Sequence, residues 1–312
     1  MKISVDGYTC PDLSGRGGCD KKMAKLKLGL PKGSLQESTI ELFSRAGIKI
    51  YTNGRSYKPA CDDDNLDITL IRAQEIPKYV ELGVFDCGVT GYDWILETNS
   101  KVKEVCELIY AKSGFRPVRW VLAVPENSSI RSVRDVRGKR IATELVNVVK
   151  KFLKKKKVSA EVEFSWGATE IKAPDFVDAI VELTETGSSL KANKLKIIDE
   201  VLASTTRFIA GNNSWRIPSK REKIENLAIL LKGALTAENM VGLKMNMKEG
   251  DLNRILKILP ALKRPTISKL TLPGWIALEV VIEENKVKEI IPKLKKSGAQ
   301  GIIEYPLNKV IP

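Results

Sequence analysis

The sequence predicts an α/β protein with a two-lobed main region and a smaller C-terminal domain. Strand-like apolar segments alternate with amphipathic helical segments from residue 24 to about residue 238, which favours mostly parallel, helix-covered sheets. From about residue 240 the predicted order changes to β-α-β-β-α-β, the ferredoxin-like motif. The length of 312 residues exceeds what a single small core comfortably holds, which indicates two or three domains.

The first 23 residues are expected to form a leader outside the fold. They lack apolar periodicity and end at a second methionine, Met23, which we take as the functional start. The segment has no apolar h-region of a secretory signal, and no run in the chain approaches the ~18 apolar residues of a membrane span. These features predict a cytoplasmic protein that does not interact with a membrane.

Residues 24–112 and 202–238 are predicted to form the first lobe. Pro77 is compatible with its helix because it falls in the first turn, where a missing N–H costs nothing. The predicted strands are AKLKLGL, LDITLIR, FDCGVTG and part of STTRFIAGNNSW. The predicted helices are PKGSLQESTIELFSRAG, AQEIPKYVELG, YDWILETN and PSKREKIENLAILLKGALTAENM.

Residues 113–201 are predicted to form the second lobe, inserted within the first. The predicted strands are RWVLAVP, KRIATE, AEVEFSW and the strand end at VELT; the predicted helices are RSVRDVRG, LVNVVKKFLKKKK and APDFVDAI. In such sheets ligands bind at the carboxyl ends of the strands. The C-terminal domain, residues 239–312, has no glycine-rich phosphate loop, which favours a regulatory or oligomerising role.

The composition excludes several kinds of chemistry. The chain has no histidine, so mechanisms and metal sites that require imidazole are ruled out. Its five cysteines form no CxxC pair, which argues against a zinc site. The net charge of +14 favours anionic partners. The lysine run at 150–157 is better explained by the solvated face of an amphipathic helix than by nucleic-acid binding.

The most informative motif is the segment DAIVELTETGSSL at residues 178–190. An apolar strand ends in acidic residues, and a Thr-Gly-Ser-Ser turn then opens a helix. Hydroxyl groups and successive backbone N–H groups in such a turn can bind a phosphate, although Thr186 or Ser188 could equally be an ordinary helix cap. Glu182 is placed to accept hydrogen bonds from ribose hydroxyls.

Two further turns follow predicted strands. In LPKGSL, Lys32 beside Gly33 can reach a phosphate, or be a plain surface lysine. In DCGVTGYD, small residues such as Gly91 let a ligand approach the backbone, and Asp93 lies at a helix start, where it could instead cap the helix. Arg55 and Arg72 are candidate anion clamps.

Together these residues resemble the long-form ATP phosphoribosyltransferase family, the first enzyme of histidine biosynthesis. The resemblance runs from about Lys25 to the C-terminus and is carried by these segments: LPKGSLQESTIELF, IRAQEIPKYVELGVFDCGVTGYDWI, GATEIKAPDFVDAIVELTETGSSLKANKL and PTISKL…GWIALEVVI…SGAQGII. Most specific is DAIVELTETGSSLKANKL, the equivalent of the family's phosphoribosyl-diphosphate loop. The chain departs from the family at three points: Glu182 for aspartate, Ser188-Ser189 for Ala-Thr, and Lys194 for glycine.

The resemblance implies a periplasmic-binding-protein-like catalytic region, a C-terminal ACT-like domain and a Mg²⁺-dependent reaction. Phosphoribosyl diphosphate would transfer its phosphoribosyl group to N1 of ATP and release pyrophosphate. The implied catalytic residues are Glu182, Lys32 and Arg72. Phosphoribosyl diphosphate would be bound by Asp178, Glu182, Thr184, Thr186, Gly187, Ser188 and Ser189, and the nucleotide by Lys32, Gly33, Arg55, Arg72, Gly91 and Asp93.

The resemblance also implies feedback inhibition by histidine, bound near Thr266 and Ala299 between neighbouring subunits of a homo-hexamer built from dimers. A solute-binding protein is the main alternative from the two-lobed pattern alone, but the C-terminal domain argues against it. A nucleic-acid-binding regulator is a third possibility, yet the sequence shows no helix-turn-helix, and we expect no nucleic-acid partner.

Overall fold

The computed structural model describes residues 25–54, 56–110, 117–259 and 265–311. The predicted leader, residues 1–23, and Arg55 lie outside these ranges. In the described part, three large sheets form in chain order, with a short two-stranded pair beside the first. Of the helices described, none combines the length and apolar character needed to cross a membrane.

The first sheet has the strand order β4-β1-β5-β12-β6. Strands β1, β4 and β5 pair in parallel, whereas β12 runs antiparallel to both neighbours. The reversed strand is thus the one that follows the return of the chain from the second lobe. The strands are β1 (Leu26–Lys32), β4 (Leu66–Arg72), β5 (Cys87–Gly91), β6 (Val102–Leu108) and β12 (Thr206–Gly211), with the pair β2 (Ile50–Tyr51) and β3 (Ala60–Cys61) alongside.

Helices cover this sheet because their apolar residues recur on one face. Phe43 of α1 and Leu231 of α7 are fully buried against the strand residues Leu28 and Leu30. The helices of this lobe are α1 (Gln36–Arg45), α2 (Ile76–Glu81), α3 (Tyr92–Thr98), α6 (Asn212–Trp215) and α7 (Pro218–Ala237).

The second sheet repeats this plan with the order β11-β7-β10-β8-β9. Here β7, the first strand after the chain enters the lobe, runs antiparallel to its neighbours β10 and β11. The strands are β7 (Val118–Pro125), β8 (Arg140–Thr143), β9 (Glu161–Phe164), β10 (Ala179–Thr184) and β11 (Leu195–Ser204), and the helices are α4 (Val146–Lys156) and α5 (Ser188–Ala192). The two lobes therefore share one topology, in which the chain crosses twice between them.

The third sheet has the order β14-β15-β13-β16, with antiparallel pairing throughout. Its strands are β13 (Met240–Lys248), β14 (Thr266–Lys269), β15 (Trp275–Glu283) and β16 (Gln300–Pro306), and α8 (Leu252–Leu256) and α9 (Glu284–Lys296) pack on it. The β-α-β-β-α-β order predicted for this region is confirmed.

Two local predictions were wrong. The segment APDFVDAI is not a helix, because residues 173–176 form turns and Ala179 and Ile180 already belong to β10. Strands β6 and β11 were not predicted. The prediction of mostly parallel sheets is confirmed, with one reversed strand in each lobe.

The two lobes are joined through α3. Both carboxylate oxygens of Glu97 accept backbone N–H groups from the first turn of α4, from Asn147 and Val148, each at 2.9 Å. Trp94, also on α3, packs against the core of the second lobe. Helix α3 thus lies between both lobes and fixes the cleft that separates them.

Candidate active site

The candidate active site is a cleft of about 330 Å³ between the two lobes. It opens at the carboxyl ends of β1, β4, β5, β8 and β10, where ligands bind in sheets of this kind. Its lining combines cations, carboxylates and an apolar wall. The lining residues are Pro31, Lys32, Ser34, Leu35, Arg72, Ala73, Gln74, Gly91, Asp93, Trp94, Ile109, Tyr110, Val118, Trp120, Glu144, Glu182, Leu183, Glu185, Ser204, Thr205 and Thr206.

Lys32 and Arg72 come together on the first-lobe side. They are direct register partners at the ends of the parallel strands β1 and β4. The Lys32 ammonium lies 3.7 Å from the ring centroid of Tyr57. Gly33 has φ +112°, and a Cβ there would lie 3.3 Å from Nη1 of Arg72, so glycine leaves the guanidinium room to enter the cleft.

The Thr-Gly-Ser-Ser turn is held together by its own hydroxyl groups. The Gly187 N–H donates to Oγ1 of Thr184 at 2.8 Å, and the hydroxyls of Thr186 and Ser188 lie 2.9 Å apart. Gly187 adopts φ +81°, which an L side chain rarely tolerates. The Ser189 hydroxyl donates to the Glu170 carboxylate at 2.8 Å. The turn is thus a built, hydroxyl-rich loop beside the cleft, although only its neighbour Glu185 is among the lining residues.

Glu182 and Thr184 are two residues apart on β10, so their side chains lie on the same face of the strand. Its Oε1 accepts the Leu183 N–H at 2.9 Å. Burial raises the pKa of the Glu182 carboxyl, and the nearby Glu170 and Glu144 add to the increase. The carboxylate lines the cleft, so a ribose diol entering there could replace some of its lost hydration.

Asp93 is engaged by the protein itself. Its Oδ1 accepts the Trp94 N–H at 3.0 Å, and its Oδ2 accepts the indole N–H of Trp120, on the opposite lobe, at 2.7 Å. Burial raises the pKa of Asp93, although these hydrogen bonds oppose the increase. A Cβ at Gly91 would collide with Oδ1 of Asp93, so Gly91 is required for this arrangement.

Other predicted residues lie elsewhere. Asp178 is at the opposite end of β10, about 20 Å from Thr184 at the usual rise per residue. There it pairs with Lys139 at 3.2 Å and accepts the Arg140 N–H at 2.9 Å; these contacts hold its pKa below the ordinary value, the Arg140 N–H foremost. The structure therefore does not bring Asp178 to the cleft. Arg55 is outside the described residues.

Thr266 and Ala299 lie in the C-terminal domain, at opposite edges of its sheet. Thr266 is exposed on the edge strand β14, whereas Ala299 is buried directly before the other edge strand, β16. Three strand spacings separate the two edges, roughly 14 Å.

Glu144 and Gln74 were missed by the sequence analysis. Glu144 directly follows β8, and the Gln74 side chain, from the first lobe, hydrogen-bonds to its carboxyl group. For Glu144, the available signal in the sequence was an acidic residue directly after a buried strand. Gln74 gives no such signal, because it meets Glu144 only when the two lobes come together. The apolar wall of Leu35, Ile109 and Val118 was also missed.

Comparisons with known proteins agree with this geometry. Residues 72–233 match the family model described as ATP phosphoribosyltransferase, and residues 237–309 match the model of the HisG C-terminal domain. The chain is 59% identical to the ATP phosphoribosyltransferase of Pelodictyon phaeoclathratiforme, covering 92% of this chain and 97% of the relative. It is also 59% identical to that of Thermodesulfovibrio yellowstonii, over 92% and 98%.

Among solved structures, the ATP phosphoribosyl transferase (HisG:HisZ) complex from Thermotoga maritima is similar, with a TM-score of 0.56 and 29% identity. The match covers 66% of this chain and 98% of the solved one. The similarity therefore extends over about two thirds of the present chain.

Proposed function

The chain belongs to the ATP phosphoribosyltransferase family, and we propose that its two substrates react in the cleft between the lobes. The enzyme transfers the phosphoribosyl group of phosphoribosyl diphosphate to N1 of ATP and releases pyrophosphate, the first step of histidine biosynthesis. The observation that carries the proposal is the meeting of Lys32, Arg72 and Glu182, from different lobes, at the strand ends around one cleft.

The loop Thr184–Ser189 binds the 5′-phosphate in this proposal. Its hydroxyl groups and the positive φ at Gly187 hold the backbone in a tight turn. A turn of this kind presents N–H and O–H donors to an anion. Glu182, two residues before the loop, then accepts hydrogen bonds from the ribose hydroxyls.

Lys32 and Arg72 bind the diphosphate. As the C1–oxygen bond lengthens, negative charge grows on the leaving pyrophosphate, and fixed cations stabilise it. The apolar residues Leu35, Ile109 and Val118, which also line the cleft, offer a surface for the adenine ring. Asp93 acts through Trp120, whose indole N–H it accepts, rather than by touching the nucleotide.

The chemistry relies on positioning more than on proton transfer. The lone pair of N1 attacks the anomeric carbon from the face opposite the diphosphate, and the transition state has oxocarbenium character. Alignment of two bound substrates can by itself supply several kcal/mol, roughly 7–11 in favourable cases. A site without histidine is adequate for such a reaction.

Mg²⁺ enters with the diphosphate in this proposal. Among the described residues, no group of three or more acidic or cysteine side chains is arranged to hold a metal ion. The cation would therefore be held by the diphosphate oxygens, where it would neutralise negative charge on the leaving group.

The test is an absorbance assay near 290 nm, roughly where N1-substituted adenine absorbs, with pyrophosphatase present to remove pyrophosphate. We expect product from wild type with Mg²⁺, none with EDTA, and a loss on the order of 100-fold when Thr186 and Gly187 are both replaced by valine. Asp178→Asn is the matched control on the same strand and should keep activity. Loss of activity in the control, or full activity in the loop variant, would contradict the assignment.

We further propose that the C-terminal domain binds histidine and inhibits the enzyme within a hexamer of dimers. Thr266 and Ala299 lie at opposite edges of one sheet, too far apart to contact one amino acid together. Two copies of the domain would bring unlike edges together and complete the site. Loss of histidine inhibition in Thr266→Trp, with unchanged uninhibited activity and a changed mass in light scattering, is the expected result. As a biosynthetic enzyme using ATP, it is assigned to the cytoplasm.

A further inference from the structure

Glu144 is a cleft carboxylate to which the roles above give no task of its own. It directly follows β8, lines the cleft and is half-buried. The Gln74 side chain hydrogen-bonds to it from the first lobe. The residue is thus held from both sides of the cleft.

The groups that face Glu144 define its electrostatic setting. Arg72 at the end of β4 attracts its negative charge, whereas Asp93 at the start of α3 and Glu182 on β10 repel it. Burial raises the pKa of Glu144, and the contacts with Gln74 and Arg72 counteract the increase. The carboxylate therefore lies within electrostatic reach of both the diphosphate-binding Arg72 and the buried Asp93.

Bond formation creates a charge that the cations of the cleft cannot stabilise. When the N1 lone pair forms the bond to the anomeric carbon, the C1–oxygen bond breaks and its electron pair leaves with pyrophosphate. The adenine ring then carries one positive charge, shared between N1 and the exocyclic nitrogen. A fixed carboxylate in a cleft partly shielded from solvent stabilises such a charge better than water does.

The other carboxylates that line the described cleft are already committed. Both oxygens of Asp93 accept hydrogen bonds from the protein. Glu182 is assigned to the ribose, and Glu185 adjoins the phosphate loop. We propose that Glu144 is the counter-charge for the adenine ring in the transition state, and that Gln74 holds it in place. This inference rests on the substrate positions proposed above.

The experiment compares Glu144→Gln, Glu144→Ala and Gln74→Ala by steady-state kinetics and by the pH dependence of kcat. Glu163→Gln, on the neighbouring strand β9, is the matched control, because Glu163 pairs with Arg140 away from the cleft. We expect kcat to fall by roughly 10- to 100-fold in Glu144→Gln, as for loss of one preorganised charge-stabilising group. KM for phosphoribosyl diphosphate should stay within about threefold of wild type.

The pH profile separates this role from a structural one. Glu144 must be ionised to act, so wild-type kcat falls as the pH drops through its raised pKa. That acidic limb should disappear in Glu144→Gln. In Gln74→Ala it should move to higher pH, because the lost hydrogen bond had lowered the pKa.

Either of two outcomes would overturn the proposal: a normal kcat in Glu144→Gln, or an acidic limb that persists in that variant. An equal fall of kcat in the control would also overturn it. Failure of the proposed cleft assignment is distinguishable, because the loop variant with Thr186 and Gly187 replaced would then retain full activity.

Discussion

Removing the Glu97 carboxylate should loosen the joint between the lobes. Helix α4 begins after Leu145, which makes no side-chain cap hydrogen bond, so its first N–H groups depend on Glu97 from the other lobe. A lost N-cap costs about 1 kcal/mol, and a lost carboxylate at a helix N-terminus about 0.3–1 kcal/mol more. With two N–H groups left unpaired, we expect Glu97→Ala to lower the unfolding free energy by about 2 kcal/mol.

Thermal unfolding and kinetics would measure this effect. At roughly 2–4 °C per kcal/mol for a chain of this size class, Tm should fall by about 4–8 °C. Glu97→Gln, which keeps one acceptor, should lose about half as much. KM for both substrates should rise severalfold, because the Glu97 cap joins α3 to α4 and these two helices lie behind the cleft. A Tm equal to that of the exposed control Glu222→Ala would refute the reasoning.

Three further substitutions test other parts of the fold. Burial alone would raise the pKa of Asp86, but its hydrogen bonds, foremost that with Lys220, hold the pKa below the ordinary value. The stability that ionised Asp86 contributes is therefore present above about pH 4 and is lost as the pH falls further. Asp86→Asn should cost about 3 kcal/mol in urea unfolding at pH 7 and flatten that acid dependence; an unchanged acid limb would count against it. Gly91→Ala should displace Asp93 and cost more than about 2 kcal/mol, with a changed tryptophan fluorescence; an unaltered spectrum would contradict this. Lys194 has φ +55°, so Lys194→Gly should stabilise by about 0.5–1 kcal/mol, and a lower Tm would be the opposing result.

The sequence revealed most of the central strands and also the edge strands β4 and β9. In β10, Ala179, Ile180 and Val181 are fully buried. A strand buried on both faces is a continuous apolar run, which can be recognised in the sequence without knowing its neighbours. That same property made APDFVDAI ambiguous, since a short apolar run does not distinguish a buried strand from a helix. Strands β6 and β11 lie at sheet edges and contain shifts in register. Their apolar and polar residues therefore do not alternate with the period of two that identifies a strand.

The site was predictable where its residues are close in sequence. The segment from Glu182 to Ser189 is one strand end and one turn, and both follow from local chemistry. Gln74 and Glu144 are 70 positions apart, and their contact exists only because the lobes face each other. Asp178 shows the converse error: proximity in sequence to the loop suggested a shared site, but six residues of extended strand carry it to the far end of the sheet.

The basic composition does not describe the cleft. The lysines of the 150–157 run are exposed, because α4 buries Val148, Val149 and Leu153 on its other face. Around the cleft, the described lining contains two cations, Lys32 and Arg72, and four carboxylates, at positions 93, 144, 182 and 185. Such a cleft would repel two bare polyphosphates. Under the proposed function, the substrates would bring positive charge with them as a metal complex, which an acidic lining favours over the free anion. In that proposal the acidic residues of the cleft would select metal-bound substrate and leave one carboxylate for the cationic adenine.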